Sequence, residues 1–221
     1  MNKKKLTIII CSSIIGAIML VMVLPFIILG IKTASIESDY SYLKDDVNYS
    51  ERVKVEGLSL VTQHISCGYA SIEMVSEYYG NKVTEDDLNA KNASISTSSS
   101  KGFLNEINES ISTKDFKIKT YLKTDVMLKE IYDSLKNGNP VVVEWAAQYE
   151  GEWTLHFSVI SALDIKNDSV TIFNPYGYIE ILNLDEFVNR MSFKAYEKMP
   201  GFLNFGFAFG MFDKNTIYYA I

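Results

Sequence analysis

The sequence predicts an α+β domain, helical in its first half and an antiparallel sheet in its second, preceded by one transmembrane helix. Three observations lead there. Residues Leu6 to Ile31 form a run of 26 without a single charge. From Gly68 to Tyr79 the apolar residues Tyr69, Ile72, Val75 and Tyr79, with Ala70, Met74 and Tyr78 beside them, recur at three- and four-residue spacing, the pattern of a helix packed into a core. Farther on, PVVVEW, HFSVISAL, SVTIFNP and YIEIL follow one another as short β-rich runs separated by turn residues such as Lys166-Asn167-Asp168. At 221 residues and 48% hydrophobic, the chain suits one well-buried domain with an appendage.

The appendage comes first. At about 1.5 Å per residue the uncharged run exceeds the roughly 30 Å of a bilayer core, so it is long enough to span with some tilt. Lys3, Lys4 and Lys5 precede it and favour a cytoplasmic start, which places everything after Lys32 outside. A cleaved signal peptide, with secretion, is the rival reading. The run is longer than such a core of about 7–15 residues, and Lys32-Thr33-Ala34 is a poor cleavage site, so an uncleaved anchor in the lipid bilayer through residues 6–31 is favoured. Cys11, inside the run, is an apolar residue of the span. We therefore divide the chain into a cytoplasmic tip and anchor (1–32), a polar, mildly acidic stalk (33–55) and a folded domain (56–221).

Charge limits the partners. Setting aside the four lysines of residues 1–32 leaves 17 basic against 27 acidic residues, about −10 for the exterior part. A surface of that sign repels phosphate backbones, and nucleic-acid binding is not expected.

In order, Ser66-Cys67-Gly68 opens the helix already described, and Gly80 stops it. Thr84 to Asp87 resembles a capping box for a short helix through Leu88. Ser94 to Ser100 is polar enough to be a surface loop. Leu104, Ile107 and Ile111 mark an amphipathic helix whose Glu106 and Glu109 face solvent. FKIKTYLK alternates as an exposed strand does, and Thr124-Asp125 caps a helix with Met127, Leu128, Ile131 and Leu135 inward. Gly138-Asn139-Pro140 turns into the four strands, and Asp185-Glu186-Phe187 begins a last helix. FGFAFGMF and TIYYAI are expected to add strands, the Phe-Gly alternation suiting a sheet better than membrane contact.

Cys67 carries the chemistry. A thiol at a helix start sits against unpaired N–H groups and the positive end of the dipole, which favours thiolate. It is the only cysteine beyond residue 11, so no internal disulfide is available to the exterior part, and deep burial is its other explanation. Its company is His156, one of two histidines, and Asn174 in Asn-Pro-Tyr-Gly, with Asp164 a second candidate partner for the imidazole. His64 lies three residues before Cys67, but no further cysteine exists to complete a zinc site, and we expect neither metal nor cofactor. Glu144 and Trp145 read as structural.

The order Gln63, Cys67-Gly68, Gly138-Asn139-Pro140-Val141-Val142-Val143, His156-Phe157-Ser158-Val159-Ile160 and Asn174-Pro175-Tyr176-Gly177 resembles the papain-like cysteine peptidases, and among them the bacteriocin-processing (double-glycine leader) peptidases and their stand-alone relatives. The resemblance runs from about Gln63 to about Phe193. It implies a papain-like fold, with Cys67 as nucleophile, His156 as general base and acid, Asn174 orienting the imidazole, and the Gln63 side chain with the Cys67 N–H as oxyanion donors. Gln63 stands four residues before Cys67, tighter than the family usually shows, and asparagine replaces the usual aspartate of the leader peptidases, although papain itself has asparagine. The expectation is a membrane-anchored extracytoplasmic cysteine peptidase acting on peptides or proteins. A thiol acyltransferase or transglutaminase-like enzyme, and a non-catalytic peptide-binding relative, are the alternatives.

Overall fold

The computed structural model describes residues 3–92, 95–194 and 200–221. Helix α1 (Lys3–Ala34) contains Ser12–Ala34 at a mean hydropathy of 2.9, long and apolar enough to cross a membrane. After it, two short 3-10 turns (Ser41–Asp45 and Val47–Tyr49) lead to β1 (Val53–Lys54). The segment expected as a stalk packs against the body. Tyr40, Leu43, Val53 and Val55 are buried, the Tyr40 hydroxyl donates to Asp185 at 2.5 Å, and the Glu37 N–H donates to the Leu122 carbonyl at 2.7 Å. Four apolar residues scattered among acidic ones carry no helical or strand period, which is why the segment reads as polar linker.

Helix α2 (Cys67–Tyr78) follows, its Ser66 N-cap accepting from the Tyr69 N–H at 3.1 Å. Tyr69, Ile72, Met74 and Val75 are wholly buried, and Ile72→Ala alone would cost about 2–5 kcal/mol. Gly80 at φ +78° closes the helix, a conformation in which glycine meets no Cβ penalty. Next come α3 (Glu85–Asn92) and α4 (Ser100–Ser110). A Cβ at Gly102 would lie 2.1 Å from the Ser96 carbonyl oxygen, so the loop can close onto α4 only over glycine. Glu106 departs from the solvated face expected for it. It is buried and accepts from the Asn92 amide at 2.6 Å and the Lys91 ammonium at 3.2 Å, because α3 packs across that face.

The remaining elements are β2 (Phe116–Thr120), α5 (Thr124–Lys136), β3 (Val141–Tyr149), β4 (Glu152–Asp164), β5 (Ser169–Asn174), β6 (Tyr178–Leu182), α6 (Leu184–Met191), α7 (Gly201–Ala208) and β7 (Thr216–Ala220). They build a seven-stranded sheet in the order β2-β7-β3-β4-β5-β6, with β1 paired to the far end of β4, every ladder antiparallel. Alternation along β3 sorts the two cores. Val141, Val143 and Trp145 face α5 and α6 with Ile131, Leu135 and Phe187, while Val142 and Ala146 join Phe157 and Val159 under α2 and α4. The result is a mixed α+β, papain-like architecture.

The aromatic stretch overturns one expectation. FGFAFG lies in α7 and the turn after it; only TIYYAI becomes a strand. Phenylalanine at 205, 207 and 209 has the period of a strand, but Leu203, Gly206 and Phe207 lie on one helical face, and those three are the buried ones. Helix α6 is accordingly not the last. Thr124 is the first residue of α5, preceded by Lys123, rather than its side-chain cap.

Candidate active site

Cys67 is half-buried at the first turn of α2, which packs over β4. The Phe157, Gly68 and Cys67 N–H groups face its sulfur and favour thiolate, but burial outweighs them, assisted by the Glu85 carboxylate, and pushes the thiol up to about 11. The helix start therefore does not by itself generate a thiolate, contrary to the expectation from position. Desolvation wins because the sulfur sits between the helix entrance and the His156–Phe157 peptide.

The loop ahead of Cys67 is held from behind by Glu85. This buried carboxylate accepts from the backbone N–H of His64 at 2.9 Å and of Ser66 at 2.9 Å, and approaches the His64 ring Nδ1 to 2.6 Å. Asp86, with Glu85 assisting, raises the His64 imidazole above its ordinary value. The Glu85 N–H in turn donates to Glu73 at 2.6 Å. The true capping box is Thr84 with Asp87, each reaching the other's backbone N–H, which frees Glu85 to face inward. Gln63 is tied to the other half of the site, its N–H donating to the Pro175 carbonyl at 2.8 Å; its side-chain oxygen is buried without a partner among the described residues.

His156 lies on β4 and Asn174 at the end of the adjacent β5, with the His156 Nε2 2.8 Å from the Asn174 Oδ1. Their hydrogen bonds assign the tautomer. Asn174 Nδ2 donates to Glu180 at 2.6 Å and its Oδ1 accepts the Tyr176 N–H at 2.9 Å, so the oxygen faces the ring and Nε2 must carry the proton. Nδ1 is left as an acceptor. Tyr176 stacks on the imidazole at 4.0 Å and 19°, and Tyr149 packs on Tyr176 at 4.8 Å. Under that cover His156 is almost wholly buried, and burial lowers its basicity to about 4 despite the Asn174 contact. Cys67 is close enough for its charge to be felt at Tyr176, yet among the described hydrogen bonds none joins sulfur to imidazole. The resting pair is thiol and neutral imidazole.

Glu180 extends the chain behind Asn174, accepting from Arg190 at 2.9 Å, while Arg190 also reaches Glu186 at 2.8 Å and lies over the rings of Trp145 and Trp153. Asp164 is engaged elsewhere, accepting from the Asn167 N–H and side chain at 2.9 Å each at the opposite end of β4. Glu144 is wholly buried, its Oε2 accepting from Ser100 at 2.6 Å and Tyr218 at 2.8 Å, and burial raises it to about 8. Sequence reasoning missed Glu85, Tyr176, Glu180 and Arg190. Tyr176 alone carried a signal, two residues after the asparagine.

A thiol at a helix entrance against an antiparallel sheet bearing the imidazole is the arrangement of papain-like cysteine peptidases, and fold and site together define that class. The chain belongs to the Peptidase_C39 like family, whose model matches residues 55–200. No curated protein matches the chain in sequence. Among solved structures it is similar to a double glycine motif protease from an AMS/PCAT transporter, crystallised in complex with the leader peptide: 15% identity, 77% of this chain and 98% of that chain covered, TM-score 0.48.

Proposed function

We propose that the protein is a membrane-anchored, extracytoplasmic cysteine peptidase that cleaves peptide bonds through Cys67, His156 and Asn174, with Gln63 assisting. The observation that carries this reading is the hydrogen-bond set at Asn174, which fixes the His156 proton on Nε2 and keeps Nδ1 free to accept another. A bound peptide brings thiol and imidazole together. The thiol proton passes to Nδ1 as sulfur attacks the scissile carbonyl carbon, and the oxyanion takes hydrogen bonds from the Cys67 N–H and the Gln63 amide. The imidazolium then protonates the departing amine, and water, deprotonated by His156, opens the thioester. Asn174 holds the ring throughout. The uncharged span of α1 supports anchoring, and the three lysines before it support a cytoplasmic start.

The test uses the full chain in lipid nanodiscs with a peptide library, comparing wild type with Cys67→Ala and analysing products by mass spectrometry with and without an amine acceptor. Hydrolysis products from wild type alone are expected. Amine adducts in their place would assign acyl transfer, and saturable binding by both proteins with no product would assign a peptide-binding role.

A further inference from the structure

We infer that α7 and the turn after it form a second membrane contact, an interfacial wedge that lies in the bilayer surface beside the exit of α1. This rests on the proposal that α1 spans the bilayer. The helix is two-faced: Leu203, Gly206 and Phe207 are packed against the body, while Phe202, Phe205, Phe209 and Met211 are exposed, Phe202 to 70%. Phe202, Phe205 and Phe209 share one outward face by their spacing, with Met211 exposed in the turn beyond, the kind of surface that soluble proteins seldom leave open.

Its position names the occupant. Phe26 of α1 packs edge-on against Phe205 at 5.3 Å and against Phe209 at 6.3 Å, so the exposed face of α7 continues the surface of the candidate span. Depth agrees. Phe26 stands twenty residues after Leu6, about 30 Å along a helix, which is the thickness of a hydrocarbon core. The aromatic cluster therefore falls where the span leaves the lipid tails, the level at which aromatic side chains collect. Beyond it the surface turns polar, with Lys32 paired to Asp213 at 3.5 Å. At the same junction Leu29, Leu122, Phe207 and Phe212 line a groove bordered by Lys32, Asp213 and Lys214. Helix α7 thus lies flat, apolar face down, and fixes the domain's tilt on the membrane.

The experiment takes the full chain with Cys11→Ser and Cys67→Ala and adds one cysteine at a time, labelled with an environment-sensitive fluorophore. The sites are Phe202→Cys on the wedge, Ile18→Cys within the span, and Val47→Cys, 82% exposed in the segment after α1, as the water-facing control. Vesicles contain lipids with a nitroxide near the headgroup end of the chain, and iodide serves as the aqueous quencher. The inference expects the lipid nitroxide to remove more than about half the emission at position 202 while iodide does little, with the reverse at position 47. Iodide quenching at 202 with lipid contact at 18 would overturn the wedge and leave the span. Protection of position 202 from both quenchers would mean cover by protein and would also overturn it. Lipid contact at 202 without any at 18 would remove the span on which the inference rests and overturn it as stated.

Discussion

The two halves of the candidate site are built by different means. The Cys67 half is backbone: a loop and a helix entrance pinned through their N–H groups by one buried carboxylate, Glu85. The His156 half is side chain: a ring, an amide, a carboxylate and a guanidinium in series from β4 to α6, roofed by two tyrosines. The first sets where the Cys67 thiol sits, and the second sets which nitrogen of His156 carries the proton. Damage to the first half should therefore cost fold and chemistry together, whereas damage to the second should cost chemistry with little loss of fold.

The largest effect is expected at Glu85. Glu85→Ala takes the acceptor from the His64 and Ser66 N–H groups, both bonded to a carboxylate, and should destabilise the protein by about 3–5 kcal/mol, read by denaturant unfolding of the full chain in detergent. Activity should fall in proportion to the loosened loop. A variant with unaltered stability would show that the loop stands without it.

Glu144 sharpens the contrast from within the α2 and α4 core. Its folded-state value near 8 lies above the ordinary 4.5, so between those limits the native state holds more protons than the unfolded chain, and stability should decline as pH rises from about 4.5 to 8. Glu144→Gln keeps the Ser100 and Tyr218 contacts and should remove that decline, a difference of up to about 4 kcal/mol at pH 8. Equal slopes for the two proteins would place the decline elsewhere. His156, lowered to about 4, gives the opposite sign: its contribution is present above about 6.5 and is lost as pH falls toward 4.

On the other half, Asn174→Ala should slow turnover by about 10–100-fold, through loss of its hydrogen bond to a ring that becomes charged, with a smaller loss of stability than Glu85→Ala because Glu180 keeps Arg190. Glu180→Gln should do less, about 3–10-fold, because it loosens the amide rather than the ring. If Glu180→Gln slowed turnover more than Asn174→Ala, the series from Arg190 to His156 would be wrong in order.

How much of this was legible in the sequence follows from the kind of pattern each feature leaves. Helix α2 announces itself by apolar residues at three- and four-residue spacing, and strands β3 to β6 by short β-rich runs between turns, β3 and β4 being buried on both faces. The segment after α1, expected as a stalk, did not, since Tyr40, Leu43, Val53 and Val55 are spaced by tertiary contacts alone. Helix α7 misled because Phe205, Phe207 and Phe209 satisfy a strand period, whereas the residues buried together, Leu203, Gly206 and Phe207, share a helical face. Cys67, His156 and Asn174 were singled out as candidates through motif order. Glu85, Glu180 and Arg190 were invisible, being ordinary charged residues of helix ends and an edge strand whose partners are distant in the chain. The thiol's state was misjudged for a physical reason: sequence shows the helix dipole but not the depth of burial that opposes it.

The central claim is that Cys67 is a nucleophile worked by His156, resting as a neutral pair until a peptide joins them. The most direct measurement is the rate at which Cys67 in the full chain is modified, followed by intact mass, by a small alkylating agent across pH and by a peptide-based electrophile at neutral pH. The account predicts alkylation that climbs about tenfold per pH unit from 7 toward 11, with no plateau, and peptide-electrophile labelling that is fast at neutral pH and about 100-fold slower in His156→Ala. Peptide-electrophile labelling no faster than that of an unactivated thiol and unchanged in His156→Ala would contradict it.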